Sequence, residues 1–155
     1  MSERPEVDAL NALVRQFSER SSFVRELVQN ALDAGAGRIE VMLFEEGESL
    51  IIEVIDDGEG MDRDIIERYL LTLFRSSKER DLTKIGKFGV GFVSLFTLEP
   101  SLVVVDTGRD GRPHRVIFAA DRSYTLAEVD TPFEGTTVRI LVPIRDSERA
   151  LLRSE

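Results

Sequence analysis

The feature that most limits how this chain can fold is the run from Leu50 to Ile55, nearly all apolar and leading straight into Asp56-Asp57-Gly58-Glu59-Gly60. A half-solvated strand alternates polar and apolar residues, so a run with so little alternation predicts a central strand covered on both faces. The acid-and-glycine loop therefore leaves the end of a buried strand. Upstream the period changes. Val24, Leu27, Val28 and Ala31 form a helical arc, with Ser21-Ser22 as N-cap hydroxyls and Gly35 and Gly37 as stop signals after Ala34. Beyond Arg38, Ile39, Val41 and Leu43 fall on one face of a strand, and Glu45 to Glu48 turns it back.

The rest of the chain completes the pattern. An earlier helical stripe runs through Leu10, Leu13, Val14 and Phe17. Asp62 to Phe74 reads as a further helix with Ile65, Ile66, Tyr69, Leu70 and Leu73 inward, and Gly86 to Gly91 opens a short helix through Leu98. Leu102 to Val105, Arg115 to Phe118, Tyr124 to Val129 and Thr136 to Val142 read as a strand meander, with a turn within Asp106 to Gly111. The order predicts an α+β fold, a two-layer α/β sandwich with helices on one face of a mixed, mostly antiparallel sheet. At 155 residues the expectation is one domain, with its core over about 7–143 and a tail or linker start over 144–155.

Charge and composition exclude whole classes of chemistry. The net charge of -9 repels phosphate backbones and anionic headgroups, which argues against nucleic-acid and membrane partners. With no cysteine there is no disulfide, thiol nucleophile or thiolate metal site, and the single His114 cannot form a multi-histidine centre. No segment approaches the ~20 apolar residues of a membrane span, and the polar, acidic start does not read as a secretory signal, so the expected location is the cytoplasm.

Three groups of residues can carry chemistry. Glu26, Asn30 and Asp33 lie at i, i+4 and i+7, which at ~100° per residue keeps them within about 60° of one another. Such a stripe describes a solvated helix face, or a carboxylate and amide that position a water and one oxygen-liganded Mg²⁺. Asp56 to Met61 is an Asx-type turn, or a site where Gly58 and Gly60 permit close backbone approach and Asp56 accepts from an amine. As a calcium loop it fails, because Met61 stands where glycine is needed. Gly86-Lys87-Phe88-Gly89-Val90-Gly91 precedes a helix, and backbone N–H groups at a helix start bind phosphate, but the spacing fits neither a P-loop nor a dinucleotide fingerprint. Beside it Arg75, Lys78, Arg80, Lys84 and Lys87 face only Glu79 and Asp81, a basic island in an acidic protein that reads as a solvated loop or as a mobile lid for an anionic ligand. Gly135-Thr136-Thr137 enters the last strand, where threonine favours strand geometry and one hydroxyl can also reach a ligand.

Taken in order, Glu26 to Ala34, Asp56 to Met61, Gly86 to Phe92 and Gly135 to Thr137 resemble the four motifs of the GHKL ATPases, the group of gyrase, heat-shock chaperone, histidine kinase and MutL. The resemblance runs from about Val7 to Val142 and is strongest to the ATP-binding domain of the ninety-kilodalton heat-shock chaperones. The stretch from Arg75-Ser76-Ser77-Lys78 to Gly89 also resembles the chaperone-like module of sacsin. It implies ATP and Mg²⁺ as ligands, with Glu26 as the general base, Asn30 as the Mg²⁺ ligand and Asp33 supporting the nucleotide through water. It implies further that Asp56 reads the adenine amino group, with Gly58, Gly60 and Met61 at the base and Thr136 fixing Asp56 and the adenine. Gly86, Lys87, Phe88, Gly89, Val90, Gly91 and Phe92 match the loop that wraps the phosphates.

Two departures qualify this. Arg75 stands where the chaperones carry a phosphate-contacting lysine, and the segment to Gly86 is shorter than their lid. The chain also stops soon after the fourth motif, where relatives draw a phosphate-sensing cation from a following domain, so hydrolysis by this chain alone is expected to be slow. The implied role is the nucleotide switch of a chaperone-like protein, with a protein client or partner chain and a nucleotide-dependent dimer. The alternatives are a non-hydrolysing nucleotide sensor and the ATPase module of a MutL- or topoisomerase-like machine. A histidine-kinase role fits poorly, since His114 lies among strands rather than on a helix before the ATP site.

Overall fold

The computed structural model describes residues 22–72, 74 and 95–144. Six strands, β1 (Ile39–Glu46), β2 (Ser49–Asp56), β3 (Leu102–Arg109), β4 (Arg112–Ala119), β5 (Tyr124–Glu128) and β6 (Gly135–Pro143), form one sheet in the order β1-β2-β6-β3-β4-β5. All five pairings are antiparallel. The expected meander is thus interrupted: β6 returns from beyond β5 and inserts between β2 and β3. Those two strands run in the same direction, so an antiparallel strand between them satisfies both of their open edges at once.

Registers align three rows across one sheet face. Ile52, Ile140, Val103, Phe118 and Tyr124 make one, and Val54, Val138, Val105, Val116 and Leu126 the next. The third row is polar: Asp56, Thr136, Thr107, His114 and Glu128. The helices pack on this face. Helix α1 (Ser22–Asp33) contributes Leu27, and the segment formed by α2 (Arg63–Ile65) and the π-helical turn Ile66–Leu70 contributes Ile66 and Leu70, with Leu71 and Phe74 beyond it. The 3₁₀ turn Leu95–Leu98 adds Leu95 and Phe96. Phe74 is the hinge of an aromatic cluster, its ring 4.5 Å from Phe118 and 5.2 Å from Phe96, spacings at which tilted rings attract.

β2 is covered as expected, with Ile51, Ile52, Glu53 and Val54 all buried in sequence. Glu53 is tolerated because it lies on the opposite sheet face, paired across the register with Arg139 at 3.4 Å. On that face Arg115 grips Asp106 through two bonds of 2.6 and 3.0 Å. The hairpin between β1 and β2 turns on Gly47 and Glu48 alone, shorter than the expected four residues. Ile39, Val41 and Leu43 do share a face, but Val41 and Leu43 are 48% and 55% exposed, since β1 is the outermost strand.

The helix expected over Asp62 to Phe74 is present with a correction. After Ile65 the turn widens, and the Leu71 N–H bonds to the Ile66 carbonyl five residues back. The extra residue in that turn keeps Ile66, Leu70, Leu71 and Phe74 inward but brings Tyr69 out, 52% exposed. Leu73, the stretch 75–94 and the stripe Leu10 to Phe17 lie outside the described residues.

Two kinds of glycine shape the connections. Gly35, the expected stop, ends α1 at φ +77°, and the bonds Gly35 N–H to Leu32 O and Ala36 N–H to Ala31 O close a Schellman motif there, the helix itself ending at Asp33, one residue short of Ala34. Gly60, Gly108 and Gly135 instead sit where three backbones touch: a Cβ on Gly60 would collide with the Gly108 carbonyl, one on Gly108 with the Phe133 carbonyl, and one on Gly135 with the Asp56 carbonyl. The two classes predict different costs. Gly35→Ala meets no atom and pays only for the left-handed backbone, about 1–2 kcal/mol, whereas Gly108→Ala must displace main chain, costing about 3 kcal/mol or more. Urea-denaturation midpoints of the two variants check the ordering.

Candidate functional site

The site begins with how the Asp56–Met61 loop is tied down. Gly58 N–H donates to Asp56 Oδ1 at 2.9 Å, a local Asx turn made possible by the absence of a side chain at Gly58, which lies against Ala34. Asp57 turns the other way and accepts from the N–H groups of Gly37 at 2.7 Å and Arg38 at 2.9 Å, while Glu59 N–H reaches the Ala34 carbonyl at 3.0 Å. The loop is stitched to the C-terminal end of α1. Its far end is held by the sheet: Met61 N–H donates to Thr107 Oγ1 at 2.8 Å, and Thr107 Oγ1 lies 2.9 Å from Thr136 Oγ1.

These ties leave a cavity of about 830 Å³ between α1, the loop and the sheet, a size suited to a nucleotide-sized ligand. Glu26, Asn30 and Asp33 line it from α1, with Leu27 and Ala31 of the same helix. Asp56 and Thr136 line it from the polar row, Val54, Val105 and Val138 from the apolar row below, and Gly60, Met61, Ile65, Tyr69 and Leu70 from the loop and the helical segment after it. The helix stripe and the strand-end loop, separate in sequence, face one space. Gly58 braces the loop from outside that lining. Asp33 is at the exposed end of the stripe, where Gln29 Nε2 donates to its Oδ1 at 3.0 Å. Arg75 and the residues Gly86, Lys87, Phe88, Gly89, Val90, Gly91 and Phe92 lie outside the described residues.

Adjacent aspartates in this loop are driven in opposite directions. Burial pushes the Asp56 carboxyl up, with the Asp57 charge adding to it, against donation from the backbone of Gly58 and Thr136. The backbone N–H groups of Arg38 and Gly37 hold the exposed Asp57 below the ordinary aspartate value. Asp56 is therefore a desolvated acceptor aimed at the cavity, and Asp57 a structural clamp. The arrangement can accept from an amino group at Asp56, donate or accept at Thr136, and hold a water or an oxygen-preferring cation between Glu26 and Asn30. Among the described residues no group of three or more histidines or carboxylates could form a metal cage.

Sequence reasoning missed Thr107 and Gly108. Thr107 is fully buried, yet the sequence places it in the expected turn within Asp106 to Gly111, whereas β3 runs on to Arg109 and the turn is Asp110-Gly111 alone. Its signal lies in the break from the valine run Val103-Val104-Val105 just before a glycine. His114, next in the same row, is buried, with Nε2 making no hydrogen bond among the described residues and lying 3.9 Å from Glu128 Oε1, and Nδ1 3.3 Å from the Arg112 carbonyl; it does not line the cavity.

Comparison with known proteins locates this arrangement. Residues 18–137 match the family described as histidine kinase-, DNA gyrase B- and HSP90-like ATPase. The chaperone protein HtpG of Magnetococcus marinus is 32% identical over 88% of this chain and 26% of its own length. That of Alkalilimnicola ehrlichii is 30% identical over 85% and 25%, and the DNA mismatch repair protein MutL of Anaeromyxobacter sp. 37% identical over 77% and 20%. The chain spans about a quarter of the length of the curated relatives it matches.

The clamp makes a pH-dependent prediction. Because the folded pKa of Asp57 is lowered, its stabilisation is present above the ordinary value of 3.8 and is lost as pH falls through the lowered value. Asp57→Ala should unfold at lower urea than wild type at neutral pH, the gap closing in strong acid. Equal gaps at both pH values would contradict the clamp.

Proposed function

The chain belongs to the histidine kinase-, DNA gyrase B- and HSP90-like ATPase family, an ATP-binding fold, and we propose that the cavity beneath α1 is where it binds ATP with Mg²⁺. The observation that carries this is the meeting of Glu26 and Asn30 from the helix with Asp56 and Thr136 from the sheet in one cavity. An adenine amino group supplies a further donor to the partly desolvated Asp56 carboxylate, beside those of the Gly58 and Thr136 backbone. Gly60 and Met61 flank the base, and Asp33 supports the nucleotide through water. Asn30 offers one oxygen, which suits Mg²⁺, a cation that keeps its remaining positions for water and phosphate. When bound, the ion would neutralise charge on the phosphate oxygens.

In this reading Glu26 holds and deprotonates the attacking water. Turnover is slow. Among the described residues lining the cavity none is lysine or arginine, so countercharge falls to Arg75, to the Gly86–Phe92 loop with Lys87, or to a following domain. We assign the chain one ATP-binding domain with its core over about 7–143, acting in the cytoplasm as the nucleotide switch of a chaperone-like protein, with a protein client or partner chain and a nucleotide-dependent dimer. No described helix is long and apolar enough to cross a membrane. The MutL relative keeps a mismatch-repair-type machine as a second reading, though the net charge of -9 suits a protein partner better than DNA.

Thermal unfolding with and without Mg²⁺–ATP tests the site. At about 100 times Kd, linkage gives about 2.7 kcal/mol of stabilisation. Asp56→Asn should abolish that shift, while its midpoint without ligand stays equal or rises, because the cost of a desolvated charge is removed and an oxygen remains for Gly58 N–H. Glu26→Ala should keep the shift and lose phosphate release. Unchanged binding in Asp56→Asn would remove the assigned pocket; unchanged background release in Glu26→Ala would leave a sensor without turnover.

A further inference from the structure

We infer that Thr107 is a specificity-determining positioning residue: it fixes the Thr136 hydroxyl as a donor toward the cavity, and so makes the site select a base with adenine's edge. The inference rests on the proposed ATP site and names a residue of β3 that does not line the cavity.

The direction of the threonine pair follows from hydrogen accounting. Thr107 is 0% exposed, and its Oγ1 already accepts from the Met61 N–H at 2.8 Å. Its hydroxyl hydrogen needs an acceptor, because an unpaired buried donor is costly. Thr136 Oγ1, 2.9 Å away, is the side-chain acceptor at hand. Thr107 therefore donates and Thr136 accepts. A hydroxyl has one hydrogen, so that of Thr136 is left to point elsewhere, and Thr136 lines the cavity next to Asp56.

The cavity end of the row then presents a fixed pair: Asp56 as acceptor and Thr136 as donor. Adenine offers the complement, an amino donor beside a ring-nitrogen acceptor. A 6-oxo purine offers the reverse, an oxygen acceptor beside a ring N–H, and would set its oxygen against the Asp56 carboxylate. The chain from the Met61 backbone through Thr107 to Thr136 also joins the base-side loop to the sheet, so the polarity is held by the same bonds that hold the loop.

The test uses the whole chain and reads the ratio of dissociation constants for inosine triphosphate and ATP, both with Mg²⁺, by calorimetry. Thr107→Val keeps the shape and removes the hydroxyl, leaving Thr136 free to turn and accept. The ratio should fall about tenfold or more, and Thr107→Ser should restore it. A residue that only supports the fold would weaken both nucleotides equally and leave the ratio unchanged, and that result would overturn the inference. If Thr107→Val does not fold, Thr107→Cys, a weak donor and acceptor of similar size, should give a ratio between those of wild type and the expected valine value; a wild-type ratio there would also overturn it. Absence of ATP binding in the wild-type chain would instead remove the proposed function, and the inference with it.

Discussion

Main-chain contact among Gly60, Gly108 and Gly135 is the constraint on which the rest of the site depends. The loop after β2 can cross the ends of β3 and β6 only because none of these three positions carries a Cβ, and at each the obstacle would be a carbonyl rather than a side chain able to turn aside. That crossing brings Met61 N–H within reach of Thr107 and lets Asp56 sit beside Thr136. From it follow the depth of the cavity, the desolvation of Asp56 and the orientation of the threonine pair.

The polar row is the apolar core continued by other means. Two rows of valine, isoleucine and aromatic side chains cross the sheet under the helices, and the third, at the same spacing, crosses it in hydrogen-bonding groups. Packing rigidity reaches the edge of the cavity, where side chains have partners on the protein side and unused capacity on the ligand side. Asp56 shows the consequence: burial that raises its pKa makes its charged form costly within the fold and favours any donor that approaches it.

The two walls of the site have different mechanical status. The sheet wall is fixed by paired strands on both sides of β6, whereas α1 is joined to it by the Leu27 and Ala31 contacts and by the Asp57 and Glu59 stitches at its C-terminal end. The groups proposed to read the base, Asp56 and Thr136, lie on the sheet wall, and Glu26 and Asn30, proposed for water and metal, lie on the helix. A domain built this way separates a fixed wall from a helix tied at one end, which suits the proposed nucleotide switch.

Periodicity and punctuation in the sequence determined much by themselves. The stripe of Glu26, Asn30 and Asp33, the buried run Leu50 to Ile55, the glycine stop after α1, and the layering of helices over an antiparallel sheet are all local, since helical and strand periods are set by backbone geometry within a few residues. The place of β6 was not local. Its insertion between β2 and β3 depends on which distant edges need partners, and it alone brings Thr136 between Asp56 and Thr107. The use of Gly108 as a crossing point and the hydrogen bonds of Thr107 were likewise decided by tertiary structure. Each depends on contact between segments tens of residues apart, where register and close approach rather than residue type determine what a side chain can do.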